Sequence, residues 1–152
     1  MRPRATVTPT LHRHPHGITA VDAEYLYPGH AAAHLIVDDR RAAFVDVGTN
    51  SSVPYLLAAL DELGIARAAV DYLLLTHVHL DHAGGAGVLM QELPNARAVL
   101  HPRGAPHMTD PSKLIAGAQA VYGEARFRRL YGELLPIPAA RAMPSSSSAA
   151  SR

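Results

Sequence analysis

A chain of 152 residues with a formal net charge of +1 has room for one domain, and gives no electrostatic case for nucleic acid or an anionic membrane. It has no cysteine, so disulfides, thiolate nucleophiles and sulfur-ligated metals are excluded and any metal must rest on nitrogen and oxygen. With 48% hydrophobic residues, no apolar run of membrane-spanning length and a polar Leu11-His12-Arg13-His14-Pro15-His16 where a leader would be apolar, the expectation is a soluble, cytoplasmic protein.

Residues 1–16 read as a flexible N-terminal arm, because termini without apolar anchors are poorly ordered. Its His12, His14 and His16 form a His-rich tract with weak metal affinity at most. Strands are predicted over 21–27 and 33–38, broken by Pro28-Gly29. The polar turn Asp38-Asp39-Arg40-Arg41 leads to a third strand over 42–47, completing an antiparallel meander. His30 and His34 fall in that loop and strand and read as non-ligands. After Gly48-Thr49-Asn50-Ser51-Ser52, Pro54 suits a first helical turn. Tyr55, Leu56, Leu57, Leu60 and Leu63 recur at helical spacing as far as Gly64. The apolar run 71–75 predicts a strand covered on both faces. Gly84-Gly85 opens a helix to about Leu93, and 96–100 is a further strand ending at His101-Pro102. Helices follow over 112–122 and 124–134, with Arg126, Arg128 and Arg129 on a solvated face. Strands alternating with helices over 42–101 imply a sheet with helices packed on it, an α+β class. The domain is expected over 17–141. Residues 142–152, rich in Ser and Ala, are expected to be a disordered tail.

The segment that carries chemistry is Thr76-His77-Val78-His79-Leu80-Asp81-His82-Ala83-Gly84-Gly85. A buried strand runs directly into four ligand-type residues within six positions. In extended or loop backbone, residues two apart project to one side, so His77 and His79 can face one metal. Asp81 and His82, at the turn into the next helix, can face a second. Imidazole and carboxylate are what zinc accepts when thiolate is absent. Gly84 and Gly85 suit a tight turn packed close to the site.

At these residues the chain resembles the metallo-β-lactamase superfamily, whose hallmark is H-x-H-x-D-H. Phe44-Val45-Asp46-Val47-Gly48 is similar to the family's apolar strand ending in Asp-x-Gly. Thr76 to Gly87 and Leu93 to His107 resemble a glyoxalase II-like branch of general metallo-hydrolases. The resemblance covers residues 17–141 and implies the N-terminal half of an αβ/βα sandwich. It implies that His77 and His79 bind a first metal and that Asp81 and His82 bind a second, with Asp81 also catalytic. Asp46 is implied to orient a histidine ligand from outside the coordination sphere. The implied cofactor is zinc at two sites, with iron or manganese as substitutes, and the implied reaction is metal-dependent hydrolysis of an ester, thioester, lactone or amide. The partner is then a small-molecule substrate, without nucleic acid or membrane.

Such proteins take a later histidine for the first metal, a bridging aspartate and a final histidine for the second. After His107 this sequence has no histidine, and after Asp110 no aspartate. The expectation is a truncated chain, from an interrupted reading frame or gene fragment, with the second half of the sandwich missing. Its alternative function is that of a catalytically silent fragment with weak metal binding at most. An uncovered sheet face is expected to favour self-association. His101 and His107 are the local candidates for replacement ligands, and both read first as surface-loop histidines in a Pro- and Gly-rich turn.

Overall fold

Strand order in space follows strand order in the chain. The computed structural model describes residues 7–145. Seven strands form one sheet: β1 (Leu11–Arg13), β2 (Ile18–Asp22), β3 (Ala32–Asp38), β4 (Arg41–Val45), β5 (Val70–Leu74), β6 (Arg97–Leu100) and β7 (Ala142–Pro144). Short connections make β1 to β4 antiparallel, a meander as expected, although the strand expected over 21–27 lies earlier, as β2, and residues 23–27 belong to the loop before β3. From β4 to β7 the pairing is parallel, which requires crossovers. These are α1 (Val53–Leu63); the short α2 (Leu80–Ala83) with α3 (Ala86–Glu92); and α4 (Ala105–Thr109), α5 (Ser112–Tyr122) and α6 (Glu124–Tyr131).

Helix α1 forms where the spacing predicts. Pro54 lies in its first turn, Gly64 closes it in the left-handed region at φ 69°, and Leu56, Leu57 and Leu60 share its buried face. That face, with Leu89, Met90 and Leu93, packs in one cluster with Val21, Leu35, Phe44, Leu73 and Ala98 of the sheet. Among the described residues no helix is long and apolar enough to cross a membrane.

The sheet's opposite face is open. The register sets Ile18 beside Ile36, Ile36 beside Ala43 and Ala43 beside Tyr72, with Val45, Leu74, Val99 and Met143 in a second row. Tyr72 is 42% exposed and Met143 36%, and none of these eight residues joins a buried cluster. Strand β5 is therefore covered on one face, not two. Its apolar run reflects a central position in the sheet while the helices of the main core lie on one side only.

Three further departures from the sequence reading have local causes. Leu11–Arg13 lies in the expected arm yet pairs with β2, closed by a turn in which the His14 amide donates to the Ile18 carbonyl at 2.8 Å. Residues 142–144 lie in the expected tail yet extend the sheet as β7. Residues 1–6 and 146–152, the rest of that arm and tail, lie outside the described residues. The helix expected from Gly84 to about Leu93 is found as α3, but a short helix not expected, α2, precedes it, and Gly85 between the two belongs to a close backbone crossing. Its amide donates to the Gly48 carbonyl at 2.9 Å, and a Cβ there would stand 2.6 Å from the Thr49 carbonyl oxygen. Gly85→Ala is expected to cost about 1–3 kcal/mol, read as a lower urea midpoint; an unchanged midpoint would show that the crossing yields freely.

Candidate metal centre

Because β2 is antiparallel to β3, and β3 to β4, the C-terminal ends of β2, β4, β5, β6 and β7 share one sheet edge. Such edges collect loops that bind ligands. At the end of β4, Asp46 is buried and adopts φ 56°, a left-handed conformation that Asp tolerates better than most residues. Its amide donates to the Leu74 carbonyl at 2.9 Å, and its carboxylate turns towards the segment after β5.

That carboxylate organises the histidines. Asp46 Oδ1 accepts from the Thr76 amide at 2.9 Å, and Oδ2 accepts from the Thr76 hydroxyl at 2.8 Å. The Thr76 hydroxyl also lies 2.8 Å from His77 Nδ1. A carboxylate only accepts and a hydroxyl carries one proton. Thr76 therefore gives its proton to Asp46 and accepts one from His77 Nδ1–H, leaving the His77 Nε2 lone pair free. His82 Nδ1 lies 3.3 Å from Asp46 Oδ2, which likewise leaves its Nε2 as the acceptor. On the other side, His82 Nε2 lies 3.4 Å from Asp81 Oδ2.

The rings are gathered accordingly. His77 lies 4.4 Å from His82 and 4.8 Å from His79 between ring centroids. Ligand-type atoms of Asp46, His77 and His82 lie within 4.8 Å of one another. By proximity Asp46 belongs to this group, but both its oxygens already accept hydrogen bonds from Thr76 or His82, which favours an orienting role over ligation. Asp81, 3.4 Å from His82, and His79, its ring against that of His77, stand beside this group.

A sequence profile described as the metallo-beta-lactamase superfamily matches residues 26–144. The chain belongs to the metallo-β-lactamase superfamily. Its architecture is similar to that of MEM-A1, a subclass B3 metallo-β-lactamase from a soil metagenome library, with TM-score 0.59 and 23% identity over 86% of this chain and 43% of that one. A metallo-β-lactamase of Cronobacter sakazakii gives TM-score 0.59 and 22% identity over 90% and 47%. The MIM-2 metallo-β-lactamase gives 0.52 and 28% over 62% and 33%. This metallo-β-lactamase-superfamily chain thus spans less than half the length of these structures, in keeping with the expected N-terminal half of the sandwich. No curated protein matches it.

Of the segment Thr76–His82, residues 76–79 lie between β5 and α2, and Leu80, Asp81 and His82 begin α2. His101 lies on the same edge, where its Nδ1 accepts from the Arg103 amide at 3.1 Å, and His107 lies in α4. Neither joins the Asp46–His77–His82 group. The residue that the sequence reading passed over is Thr76. Its hydroxyl relays Asp46 to His77, and its position directly before the motif was the available signal.

Proposed function

We propose that the protein is a metal-dependent hydrolase acting on an ester, thioester, lactone or amide carbonyl, with zinc as the preferred ion and iron or manganese as substitutes. The observation that supports it best is the Asp46–Thr76–His77 relay with its His82 branch, which engages Nδ1 of both rings and leaves both Nε2 atoms outside the relay. Hydrogen-bonded partners that fix a histidine's tautomer are what metal sites use to raise ligand basicity. His77 and His79 would hold one ion, and His82 and Asp81 a second. A bound divalent ion supplies a lowered water pKa and polarises the carbonyl. Asp81 Oδ2, beside His82 Nε2, is placed to accept a proton from the attacking water or to steer it.

A second reading is supported by the donor count. The motif offers four donors, two per ion, whereas a catalytic zinc normally has three protein ligands. On this reading the chain holds a metal without turning over substrate. Assaying the zinc-loaded chain against thioesters, esters and lactones separates the two. Turnover lost with a chelator and in His77→Ala supports the hydrolase; one bound ion without turnover supports the silent reading. The absence of any bound ion would remove the hydrolase and leave the silent reading, which allows weak metal binding at most. The open sheet face is where self-association between two copies would act, and light scattering that shows a monomer across a hundredfold concentration range would remove that expectation.

A further inference from the structure

Between His79 and Asp81 sits Leu80, a buried residue in a motif whose neighbours reach solvent. Helix α2, which Leu80 begins, has four residues and no side-chain cap at its N-terminus. So short a helix does not hold its own orientation, since nucleation is unfavourable and few bonds offset it. Two tethers act at its far end: the Val47 amide donates to the His82 carbonyl at 2.8 Å, and His82 Nδ1 meets Asp46. At its near end, Leu80 is 8% exposed and lies outside the main core. It packs in a separate cluster with Phe127, Tyr131 and Leu134.

Tyr131 is the hub of that cluster. Its ring lies 5.5 Å from Phe127 and 6.3 Å from Tyr25, the latter stacked at 16°. Its hydroxyl lies 3.2 Å from that of Tyr25, in the β2–β3 loop. This loop is itself tied down: the Asp22 carboxylate accepts from the amides of Glu24 at 2.9 Å and Gly29 at 2.6 Å, and the Ser52 hydroxyl donates to the Ala23 carbonyl at 2.5 Å. Burial pushes the Tyr131 phenol above its ordinary value, with the Tyr25 hydroxyl adding to the shift, so it keeps its proton.

We propose that Leu80 and Tyr131 are positioning residues for the metal motif, with the α5–α6 hairpin as their socket and the Tyr25–Tyr131 hydroxyl pair as its fastening. Leu80 seated against Tyr131 sets the direction in which His79 and Asp81 leave the backbone, while Asp46 sets that of His77 and His82. The hairpin thereby takes part in the metal centre without contributing a ligand. This rests on the metal-binding part of the reading above.

Cobalt(II) titration, followed by visible absorption, tests it on the full chain. Leu80→Ala is expected to weaken cobalt binding at least tenfold and to shift the visible band, Tyr131→Phe to weaken it about threefold, and Leu80→Met to restore the parent spectrum. In the metal-free protein, the ring resonances of His79 should move in Leu80→Ala and return in Leu80→Met, while those of His77, held through Asp46, stay near their parent positions. Should Leu80→Ala fail to fold, Tyr131→Phe and Leu80→Met carry the comparison. Parent-like affinity and His79 resonances in folded Leu80→Ala, or in Tyr131→Phe if that variant must stand alone, would overturn the proposal. A parent protein that binds no cobalt, with resonances that still respond to Leu80, would instead leave the positioning intact and remove the metal reading.

Discussion

Asp46→Ala should weaken metal binding by about 10- to 100-fold, the usual effect of removing a group that orients a ligand. The carboxylate is the shared partner of Thr76 and His82. Without it the Thr76 amide loses its acceptor and the Thr76 hydroxyl is free to rotate. His77 Nδ1–H then loses a fixed partner, and either ring nitrogen can carry the proton. His82 is released at the same time. Alanine at φ 56° adds about 1 kcal/mol of backbone cost, so a modest fall in thermal stability should accompany the loss of affinity. Asp46→Asn separates the two effects. It keeps shape and the tolerated backbone, but its amide offers one acceptor oxygen where two are used. Its stability should stay near that of the parent while cobalt affinity falls by roughly tenfold. Parent-like affinity in both variants would show that the histidines are held by packing alone.

Arg141→Ala should destabilise the fold by about 2–4 kcal/mol, the largest effect expected of any residue outside the buried core. The guanidinium donates to the carbonyls of Met90 at 3.0 Å and Ala96 at 2.8 Å, and also to that of Leu93. Met90 and Leu93 lie at the C-terminal end of α3, where helix carbonyls lack partners and a cation complements the dipole. One side chain thus closes α3, steadies the turn into β6 and fastens the residue just before β7. Arg141→Lys should recover only part of the loss, because an ammonium cannot present the planar fork that reaches three carbonyls. Urea unfolding gives the measurement, and a loss below about 0.5 kcal/mol would place these bonds among those that water replaces without cost.

These two residues also mark how far the sequence could be read. Asp46 was legible because it ends an apolar strand followed by Gly48, a pattern that resembles the superfamily's. The motif at 77–82 was legible because four ligand-type side chains crowd into six positions. Helix α1 was legible from the period of Leu56, Leu57, Leu60 and Leu63, bounded by Pro54 and Gly64. Arg141, the last residue of the expected domain, was not, since its value lies in carbonyls up to 51 positions away. Strands β1 and β7 escaped for a related reason: three residues at a sheet edge are held by a partner's ladder, not by a pattern of their own. The short α2 before Gly84 escaped because what sets it apart from α3, the crossing of Gly85 against Thr49, is a tertiary contact. Leu80 looked like a spacer, and only its place in the cluster with Phe127, Tyr131 and Leu134 shows otherwise.

The most direct test of the metal centre is cobalt(II) binding by a chain in which His12, His14 and His16 are replaced by alanine, so that the N-terminal tract contributes nothing. That protein should still bind cobalt with a visible spectrum characteristic of nitrogen and oxygen ligands, and adding His77→Ala with His82→Ala should weaken binding by at least a hundredfold. Equal binding with and without His77 and His82 would contradict the assignment of the metal to the segment Thr76–His82.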